Sequence, residues 1–310
     1  MTGSAGAAPD HAPNNGPASN DGPPPNDGPP PNDGILVVRS RRELADALAR
    51  APRPLGLVPT MGWLHAGHRS LIARARAECA SVAVSIFVNP RQFGDPADLV
   101  QYPRNEARDL AICAEEGADL AWAPSVEDVY PPGFDTRVSV GALAEPLEGA
   151  ARPGHFDGVA TVVAVLFGLV RPDRAYFGMK DAQQLRVIAR MATDLDLTTV
   201  VPCPTVREAD GLALSSRNVH LAPAERAAAP VLHRALAAGR ERYAAGERDA
   251  ESIRATVRAV VATEPLARLE YVSLADDATL AELDRVDGPA LLSIAARFGS
   301  TRLIDNLVLG

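Results

Sequence analysis

Two histidines three positions apart, His65 and His68, flank a glycine where an apolar, strand-like segment meets a helix-like one: GLVPTMGWLHAGHRSLIARARAECA. In an open parallel sheet, ligands bind where strands end and helices begin, and free N–H groups there attract phosphate. Gly67 would let a bulky anion come close to the backbone. Two imidazoles beside it could stabilise charge that develops during phosphoryl transfer. The alternatives are surface histidines in a loop, or a zinc site that lacks a suitably spaced third ligand.

Lys180 is a second candidate, because it is the only lysine among the 31 lysine and arginine residues of the chain. A composition so biased toward arginine suggests that this site needs a compact ammonium group rather than a planar guanidinium. Lys180 follows the strand-like segment RAYFG at the start of a helix, as the histidines follow theirs. Phosphate contact is the predicted role, and a chance remnant is the alternative.

A third candidate segment is TVREADGLALSSRN, residues 205–218, which ends in Ser215, Ser216 and Arg217 followed by an asparagine. An arginine can hold two phosphate oxygens at once, and serine hydroxyls add short hydrogen bonds. Such a triplet is common in loops and is weak evidence alone. With the histidines and the lysine, it would complete a cradle for a polyphosphate.

These residues need a scaffold, and residues 35–206 alternate between helix-like and strand-like segments. The segments with helical character are ELADALARA, GHRSLIARARAECA, NEARDLAICAEEG, GVATVVAVLFGLV and DAQQLRVIARMATDL. The strand-like segments are PLGLVPT, SVAVSIFVN, ADLAWAP, RAYFG and TTVVPCPTV. Residues 125–157 form a polar, proline-rich excursion. The alternation predicts an α/β fold, a Rossmann-like, doubly wound parallel sheet with helices on both faces.

The pattern changes after about residue 207. Two helix-like stretches, 223–246 and 249–265, precede the strand candidates LEYVSLA, ALLSIAARF and RLIDNLVL, which indicates a smaller α+β C-terminal domain. Residues 1–34, with the repeat NDGPPPNDGPPPNDG, carry four Asp and no Lys or Arg. They lack a secretory signal pattern and the apolar surface for a core, so we expect a disordered tail.

Composition narrows the function classes. A net charge of −8 argues against non-specific binding to nucleic acid or to anionic membranes. The three cysteines, Cys79, Cys113 and Cys203, have no paired or metal-like spacing, which fits a reducing cytoplasm. No apolar run reaches membrane-spanning length.

Five ordered blocks of the sequence resemble the signature blocks of the pantothenate synthetase (pantoate–β-alanine ligase) family. They are VPTMGWLHAGHRSL, SIFVNPRQFG, LEGAARPGHFDGVATVV, YFGMKDAQQL and TVREADGLALSSRN, and AARFGSTRLIDNL resembles the family's closing segment. The resemblance covers roughly residues 35–310. It implies a nucleotide- and pantoate-binding domain at 35–206, a C-terminal lid domain at 207–310, and a homodimer formed through the first domain.

The resemblance also implies a reaction. ATP and (R)-pantoate, with Mg²⁺ carried by the ATP phosphates rather than by protein ligands, would give pantoyl adenylate and pyrophosphate. The amine of β-alanine would then expel AMP to form pantothenate. The catalytic residues implied are His65, His68, Lys180 and Arg217. His68 matches the histidine usually given the proton-donor role, whereas we expect both histidines to act mainly as electrostatic stabilisers. No covalent enzyme intermediate is required.

The resemblance assigns further residues to each substrate. Gln92 and Gln184 match pantoate-binding glutamines, whose amides suit a molecule with hydroxyls and a carboxylate. Gln92 also matches a β-alanine position. Asn89, on the same loop, and Met61 are also expected to bind pantoate, and Met61, Phe93 and Val159 could form an apolar wall for the gem-dimethyl group. Asp181 is the expected ribose partner and Val206 an adenine contact. ATP would contact Met61, Gly62, His65, Gly67, His68, Gly178, Met179, Lys180, Asp181, Val206, Leu214, Ser215, Ser216 and Arg217.

Some positions depart from the family pattern. Met179 stands where Glu is frequent, Leu214 where Met is frequent, and His220 where Tyr is common, while Arg91 and Trp63 occupy variable positions. None of these changes removes a phosphate-contacting group, so we expect the activity to be retained. The fine placement of ATP and of the GMKD turn is the feature they put in question.

Three other functions share parts of this pattern. Another adenylyltransferase acting on a small vitamin precursor would use the same His-x-Gly-His cradle, but the paired glutamines disfavour it. An aminoacyl-tRNA synthetase would need an anticodon-reading domain and a basic surface. A non-catalytic nucleotide-binding module would have little need for both glutamines.

Overall fold

The computed structural model describes residues 1–3, 34–94 and 96–310. The described residues from 34 onward belong to one compact unit. The predicted disordered tail therefore lies, except for residues 1–3 and 34, outside the described residues. Two separate sheets occur within the compact unit, and the domain boundary after residue 206 stays a prediction.

The first sheet has six parallel strands in the order β1-β4-β3-β2-β5-β6. The strands are β1 (Leu36–Val38), β2 (Leu55–Thr60), β3 (Ser81–Ile86), β4 (Leu120–Trp122), β5 (Arg174–Gly178) and β6 (Thr199–Cys203). The chain moves from β2 to one side of the sheet and later returns beside β2 with β5. The C-terminal ends of β2 and β5 are therefore the topological switch point, where such sheets bind ligands.

Helices cover both faces of this sheet, which confirms the doubly wound prediction. They are α1 (Arg41–Leu48), α2 (Ala66–Glu78), α3 (Pro96–Gln101), α4 (Glu106–Glu115), α5 (Val126–Val129), α6 (Glu148–Ala151), α7 (His155–Val170) and α8 (Ala182–Asp194). One core packs α7 and α8 against one face, and a second core packs α2 and α4 against the other. α7 is buried along most of its length, as its almost continuous apolar sequence predicts.

The second sheet has three antiparallel strands in the order β7-β8-β9 and its own core, which confirms the predicted α+β segment. Its elements are α9 (Pro223–Ala228), α10 (Val231–Ala244), α11 (Ala250–Val261), β7 (Ala267–Asp276), β8 (Ala290–Phe298) and β9 (Thr301–Leu309). The sequence predicted one helix over residues 223–246. The structure divides it before Val231, because Pro230 lacks the N–H that a continuous helix requires.

Other differences from the predicted elements are local. β1, a strand of three residues, was not predicted from the sequence. Residues 125–157 contain the one-turn helices α5 and α6, and α7 begins at His155 rather than at residue 158. Within the described part of the chain, every helix is too short or too polar to span a bilayer.

Candidate active site

The two histidines lie at the start of α2, directly after β2. His65 is the N-cap of α2, and its Nδ1 atom accepts a hydrogen bond from the backbone N–H of Gly67 at 3.1 Å. The Nδ1 atom of His68 accepts from the backbone N–H of His65 at 3.3 Å, and the two ring centroids are 4.2 Å apart. Because both Nδ1 atoms accept, each neutral ring carries its proton on Nε2.

Burial keeps both rings uncharged. Burial, followed by the positive charge of Lys180, lowers the pKa of His65 to about 4. Burial, followed by the neighbouring His65, lowers the pKa of His68 to about 3. At neutral pH the pair therefore offers Nε2–H hydrogen-bond donors rather than imidazolium ions. Such donors could stabilise developing charge, and the catalytic role of the two histidines stays a prediction.

The glycine between the histidines has a steric role. A Cβ atom added at Gly67 would lie 2.9 Å from Cε1 and 3.0 Å from Nδ1 of His65. The ring of His65 folds back over its own helix N-terminus, so a larger residue at position 67 would require this ring to move. Glycine at this position therefore suits the placement of the ring.

Asp109, on α4, holds the turn that leads into α2. Its carboxylate accepts from the backbone N–H groups of Trp63 and Leu64, each at 2.8 Å, and its side chain is almost fully buried. The turn contains Gly62, whose N–H donates to the Thr60 hydroxyl. Asp109 is not identifiable from the sequence, because nothing in an amphipathic helix marks one carboxylate as inward-facing.

Lys180 lies in a one-turn 3₁₀ helix, Met179–Asp181, directly after β5. Its side chain is 17% exposed, and its ammonium nitrogen is 3.5 Å from the Asp181 carboxylate. Asn306 on β9 donates to the backbone carbonyls of Met179 and Lys180 at 3.0 and 2.8 Å. The C-terminal sheet thereby fixes the turn that presents the only lysine of the chain.

Ser215, Ser216 and Arg217 follow β6 at the third strand end. The Ser215 hydroxyl accepts from the backbone N–H of Arg217 at 3.3 Å and caps a short 3₁₀ helix, Ser216–His220. Leu214 donates its N–H to the carbonyl of Val206 at 3.0 Å, which closes the loop between them. Among the described residues, no carboxylate lies within ion-pair distance of Arg217, so its charge is available to a ligand.

One cavity of about 240 Å³ brings nearly all of the predicted residues together. Its walls include His65 and His68 from α2, Lys180 after β5, and Ser215 to Arg217. The remaining predicted residues that line it are Met61, Gly67, Asn89, Gln92, Phe93, Val159, Gly178, Asp181, Gln184, Val206 and Leu214. Phosphate-binding groups and the two glutamines therefore face the same space.

Two predicted residues do not line this cavity. Gly62 belongs to the turn behind it, and the Met179 side chain packs against the core under α7 and α8. A methionine is compatible with that apolar surrounding. Contact between ATP and the backbone of either residue stays a prediction.

The glutamine end of the cavity is built on a 3₁₀ turn, Pro90–Gln92, that packs against α7. A Cβ atom at Gly158 would lie 2.2 Å from the carbonyl oxygen of Arg91, so only glycine permits this approach. The side-chain nitrogen of Gln92 lies 3.2 Å from the sulfur of Met61. Gln184 faces the cavity from α8, whereas its neighbour Gln183 is buried and donates to the carbonyls of Leu143 and Pro146.

Several cavity residues were not singled out from the sequence. Arg152 and His155 both approach the backbone carbonyl of Gln92, at 3.5 and 2.9 Å, and Tyr102 stacks edge-on against Phe93. Val162, Val163 and Leu166 extend the apolar wall. Arg152 and His155 lie in the segment LEGAARPGHFDGVATVV, which resembles a signature block of the family. A guanidinium and an imidazole in that segment were the available signal.

A second cavity, of about 900 Å³, opens from the same residues toward the C-terminal sheet. It shares Arg152, His155, Lys180 and Arg217 with the smaller cavity. At its far side Glu148 and Arg302 form a buried ion pair through two hydrogen bonds, and the Tyr271 hydroxyl donates to Glu148 at 2.9 Å. These contacts connect α6 to β7 and β9.

Comparison with known proteins agrees with this site. A sequence model described as "Pantoate-beta-alanine ligase" matches residues 36–308. A protein of Roseiflexus sp. (strain RS-1) named pantothenate synthetase is 58% identical over 274 residues, which are 88% of this chain and 99% of that relative.

Solved structures give the same result. The crystal structure of pantothenate synthetase from Thermus thermophilus is 50% identical, with a TM-score of 0.84, and the match covers 88% of this chain and 99% of that one. The pantoate-β-alanine ligase of Francisella tularensis, solved in complex with β-γ ATP and β-alanine, is 32% identical with a TM-score of 0.72. That match covers 89% of this chain and 98% of the other.

Proposed function

The chain belongs to the pantoate–β-alanine ligase family, and from that premise we propose how its residues carry out the ATP-dependent condensation of (R)-pantoate with β-alanine to pantothenate. The observation that carries the proposal is the single small cavity that His65, His68, Lys180, Arg217, Gln92 and Gln184 all line. It places groups suited to phosphate beside groups suited to a small hydroxy acid.

In the first step, a carboxylate oxygen of pantoate attacks the α-phosphorus of ATP. A new bond forms between that oxygen and the α-phosphorus. The bond from the α-phosphorus to the oxygen that bridges the α- and β-phosphates breaks, and pyrophosphate leaves with the electron pair. Negative charge grows on the phosphate oxygens, where the Nε2–H groups of His65 and His68, the ammonium of Lys180 and the guanidinium of Arg217 can stabilise it. Since the histidines are neutral, we assign them hydrogen bonding rather than proton donation.

Pantoate is assigned to the end of the cavity between Gln92 and Gln184. Glutamine amides supply donors and acceptors for its hydroxyls and carboxylate, and Met61, Phe93 and Val159 provide the apolar wall for the gem-dimethyl group. The side-chain amide of Gln184 makes no hydrogen bond to another described residue, so it is available to a substrate.

In the second step, the uncharged amine of β-alanine attacks the acyl carbon of pantoyl adenylate. The bond between that carbon and the phosphate oxygen breaks, AMP leaves with the electron pair, and the amine nitrogen releases a proton to solvent to give the amide. The larger cavity of about 900 Å³ reaches the same residues and is the proposed entry for β-alanine. Gln92 lines the small cavity, and its backbone carbonyl contacts Arg152 and His155, which line both cavities, so we assign Gln92 to β-alanine as well.

The nucleotide occupies the strand ends between these two regions. Gly178 and Asp181 follow β5, with Asp181 half-exposed and placed to accept from the ribose hydroxyls. Val206, Leu214, Ser215 and Ser216 border the opposite side of the small cavity, where we place the adenine and the phosphates. Met61, Gly62, Gly67 and Met179 complete the proposed nucleotide environment.

Mg²⁺ is part of the proposal as an ion bound to the ATP phosphates. Among the residues that the structure describes, no three His, Cys, Asp or Glu side chains gather into a metal site. The metal would supply additional charge neutralisation on the phosphates, and no step above depends on a protein ligand to it.

We also propose that the protein is a cytoplasmic homodimer whose residues 207–310 act as a lid. Free, buried Cys79, Cys113 and Cys203 are compatible with a reducing compartment. A lid would protect an acyl adenylate from water. Sedimentation equilibrium tests the dimer, and small-angle scattering with and without ATP and pantoate tests closure.

Pyrophosphate release tests the proposed sequence of steps. We expect pyrophosphate from MgATP only when (R)-pantoate is present, and AMP with pantothenate only after β-alanine is added. Trapping radiolabelled pantoyl adenylate without β-alanine would support the intermediate. Pyrophosphate formation that requires β-alanine from the outset would exclude it.

A further inference from the structure

The amide of Gln92 is oriented by residues that lie behind the cavity wall. Asn89, 1% exposed, uses its full hydrogen-bonding capacity within the chain. Its Nδ2 donates to Gln92 Oε1 at 2.9 Å and to the carbonyl of Gly158 at 3.1 Å. Its Oδ1 accepts from the backbone N–H of Arg91 at 3.2 Å and from the Tyr130 hydroxyl at 2.8 Å.

The donor and the acceptor of each hydrogen bond around Asn89 can be assigned. A backbone N–H can only donate and a backbone carbonyl can only accept, so Arg91 and Gly158 allow one orientation of the Asn89 amide. It follows that the Tyr130 hydroxyl donates and that Gln92 turns its oxygen toward Asn89. The Gln92 nitrogen then faces the other way, 3.2 Å from the Met61 sulfur. Sulfur is a weak acceptor of one N–H, and the second N–H remains for a ligand.

Tyr130 lies behind the cavity wall, and neighbouring aromatic rings hold its side chain in place. It lines neither cavity, and its ring packs between Phe87 and Phe134, with centroids 6.2 and 5.0 Å away. The guanidinium of Arg91 lies 4.4 Å from the ring centroid. Burial raises the pKa of Tyr130 to about 12, so the hydroxyl keeps the proton that it donates.

We propose that Tyr130 is a positioning residue for pantoate: its buried hydroxyl, acting through Asn89, holds Gln92 with its remaining N–H donor toward the substrate. The inference rests on the proposed function, in which Gln92 contacts pantoate. It specifies that this wall of the site takes an oxygen with a free lone pair, a carboxylate or a hydroxyl. It also makes Asn89 a support for Gln92 rather than a direct pantoate ligand.

The first test compares Tyr130→Phe with Tyr243→Phe. The first change keeps the ring and removes the hydroxyl, and the second removes a hydroxyl from the partly buried tyrosine of α10, outside both cavities. Loss of one buried hydrogen bond predicts a fall of roughly 3- to 10-fold in kcat/KM for pantoate in Tyr130→Phe. KM for ATP should stay at the wild-type value, and Tyr243→Phe should match wild type in both constants.

The second test is a double-mutant cycle with Gln92→Ala, read by turnover and by calorimetric binding of pantoate. If Tyr130 acts through Gln92, its hydroxyl has nothing to orient in the Gln92→Ala background, and Tyr130→Phe should then have no further effect. An equal loss in both backgrounds would show a general structural role and overturn the inference. Wild-type pantoate kinetics in folded Tyr130→Phe would overturn it as well.

Gln92 variants separate this inference from the proposed function. Gln92→Glu keeps an oxygen for Asn89 but has no N–H donors, so pantoate binding should weaken as much as in Gln92→Ala. Wild-type pantoate binding by Gln92→Ala would refute the assignment of pantoate to Gln92, and the inference with it. Weak binding by Gln92→Ala with normal binding by Gln92→Glu would leave the assignment intact and overturn only the donor orientation.

Discussion

The Nδ1 atom of His155 lies 2.9 Å from the backbone carbonyl oxygen of Gln92. A carbonyl can only accept, so Nδ1 donates and the unprotonated nitrogen of this ring is Nε2. Burial, followed by the charge of Arg152, lowers the pKa of His155 to about 4, and the ring is neutral at physiological pH. Its tautomer is therefore opposite to that of His65 and His68, whose Nε2 atoms carry the proton.

His155→Ala should lower kcat/KM for pantoate by about 10-fold, because one buried hydrogen bond to the Gln92 backbone is lost. His155→Asn provides the matched comparison, since its amide nitrogen can replace Nδ1 as the donor to Gln92. We expect Asn to restore most of the loss if positioning is the role of this residue. Steady-state kinetics with varied pantoate measure both, and equal defects in the two variants would point instead to a role for Nε2.

The protonation of the His65–His68 pair gives a spectroscopic prediction. Long-range ¹⁵N–¹H spectra of the free protein should show both rings as Nε2–H tautomers that stay neutral from pH 8 down to about 5, as their lowered pKa values require. His65→Gln and His68→Gln assign the signals. Titration of either ring near pH 6.5 would contradict the proposal that both histidines act as neutral hydrogen-bond donors.

The same shifts have a consequence for stability. The pKa of His65 is about 4 in the folded protein, whereas the ordinary histidine pKa is 6.5. Between these two pH values His65 is protonated in the unfolded chain but not in the folded protein. The free energy of unfolding should therefore fall as pH falls through that window, and this contribution should be complete above it. Urea titrations at pH 7.5, 6 and 5 check the sign. His65→Gln/His68→Gln should show a shallower decline than wild type.

Lys180→Arg should cut pyrophosphate release by about 100-fold, because an ammonium at this site is replaced by a wider planar group. The side chain is largely enclosed and lies 3.5 Å from Asp181, which leaves little room for adjustment. Single-turnover adenylation with saturating MgATP measures the effect. Arg190→Lys, on an exposed face of α8, controls for exchange of the two residue types. A near-normal rate in Lys180→Arg would remove the significance given to the only lysine.

The residues found from sequence share one property: each follows a strand of the parallel sheet. His65, Lys180 and Ser215 come after β2, β5 and β6, and parallel strands bring their C-terminal ends to one edge. The alternation of helices and strands thus predicted their convergence. The family resemblance was needed for Gln92 and Gln184, whose residue type alone is typical of a surface.

The residues that were missed depend on contacts between distant segments. Asn306 reaches the Lys180 carbonyl across 126 residues of sequence, and Asp109 reaches Leu64 across 45. No periodicity marks such a residue, because its importance arises only when two elements pack together. The same reasoning applies to Tyr130, whose sequence context is that of an ordinary aromatic residue beside two prolines.

Because Glu148 and Arg302 form a buried ion pair, we expect the effects of their substitutions on the free energy of unfolding to be coupled. Each side chain is at most 15% exposed, and Tyr271 also donates to Glu148. Glu148→Ala leaves the Arg302 charge with one partner fewer in a buried place, which should lower the free energy of unfolding by about 3 kcal/mol. Glu148→Met with Arg302→Leu replaces the pair by apolar groups, and Glu270, which also contacts Arg302, keeps its ion pair with Arg297. The double variant should therefore recover much of that loss. Urea unfolding of the single and double variants measures the coupling, and additive losses would show that the two charges do not depend on each other.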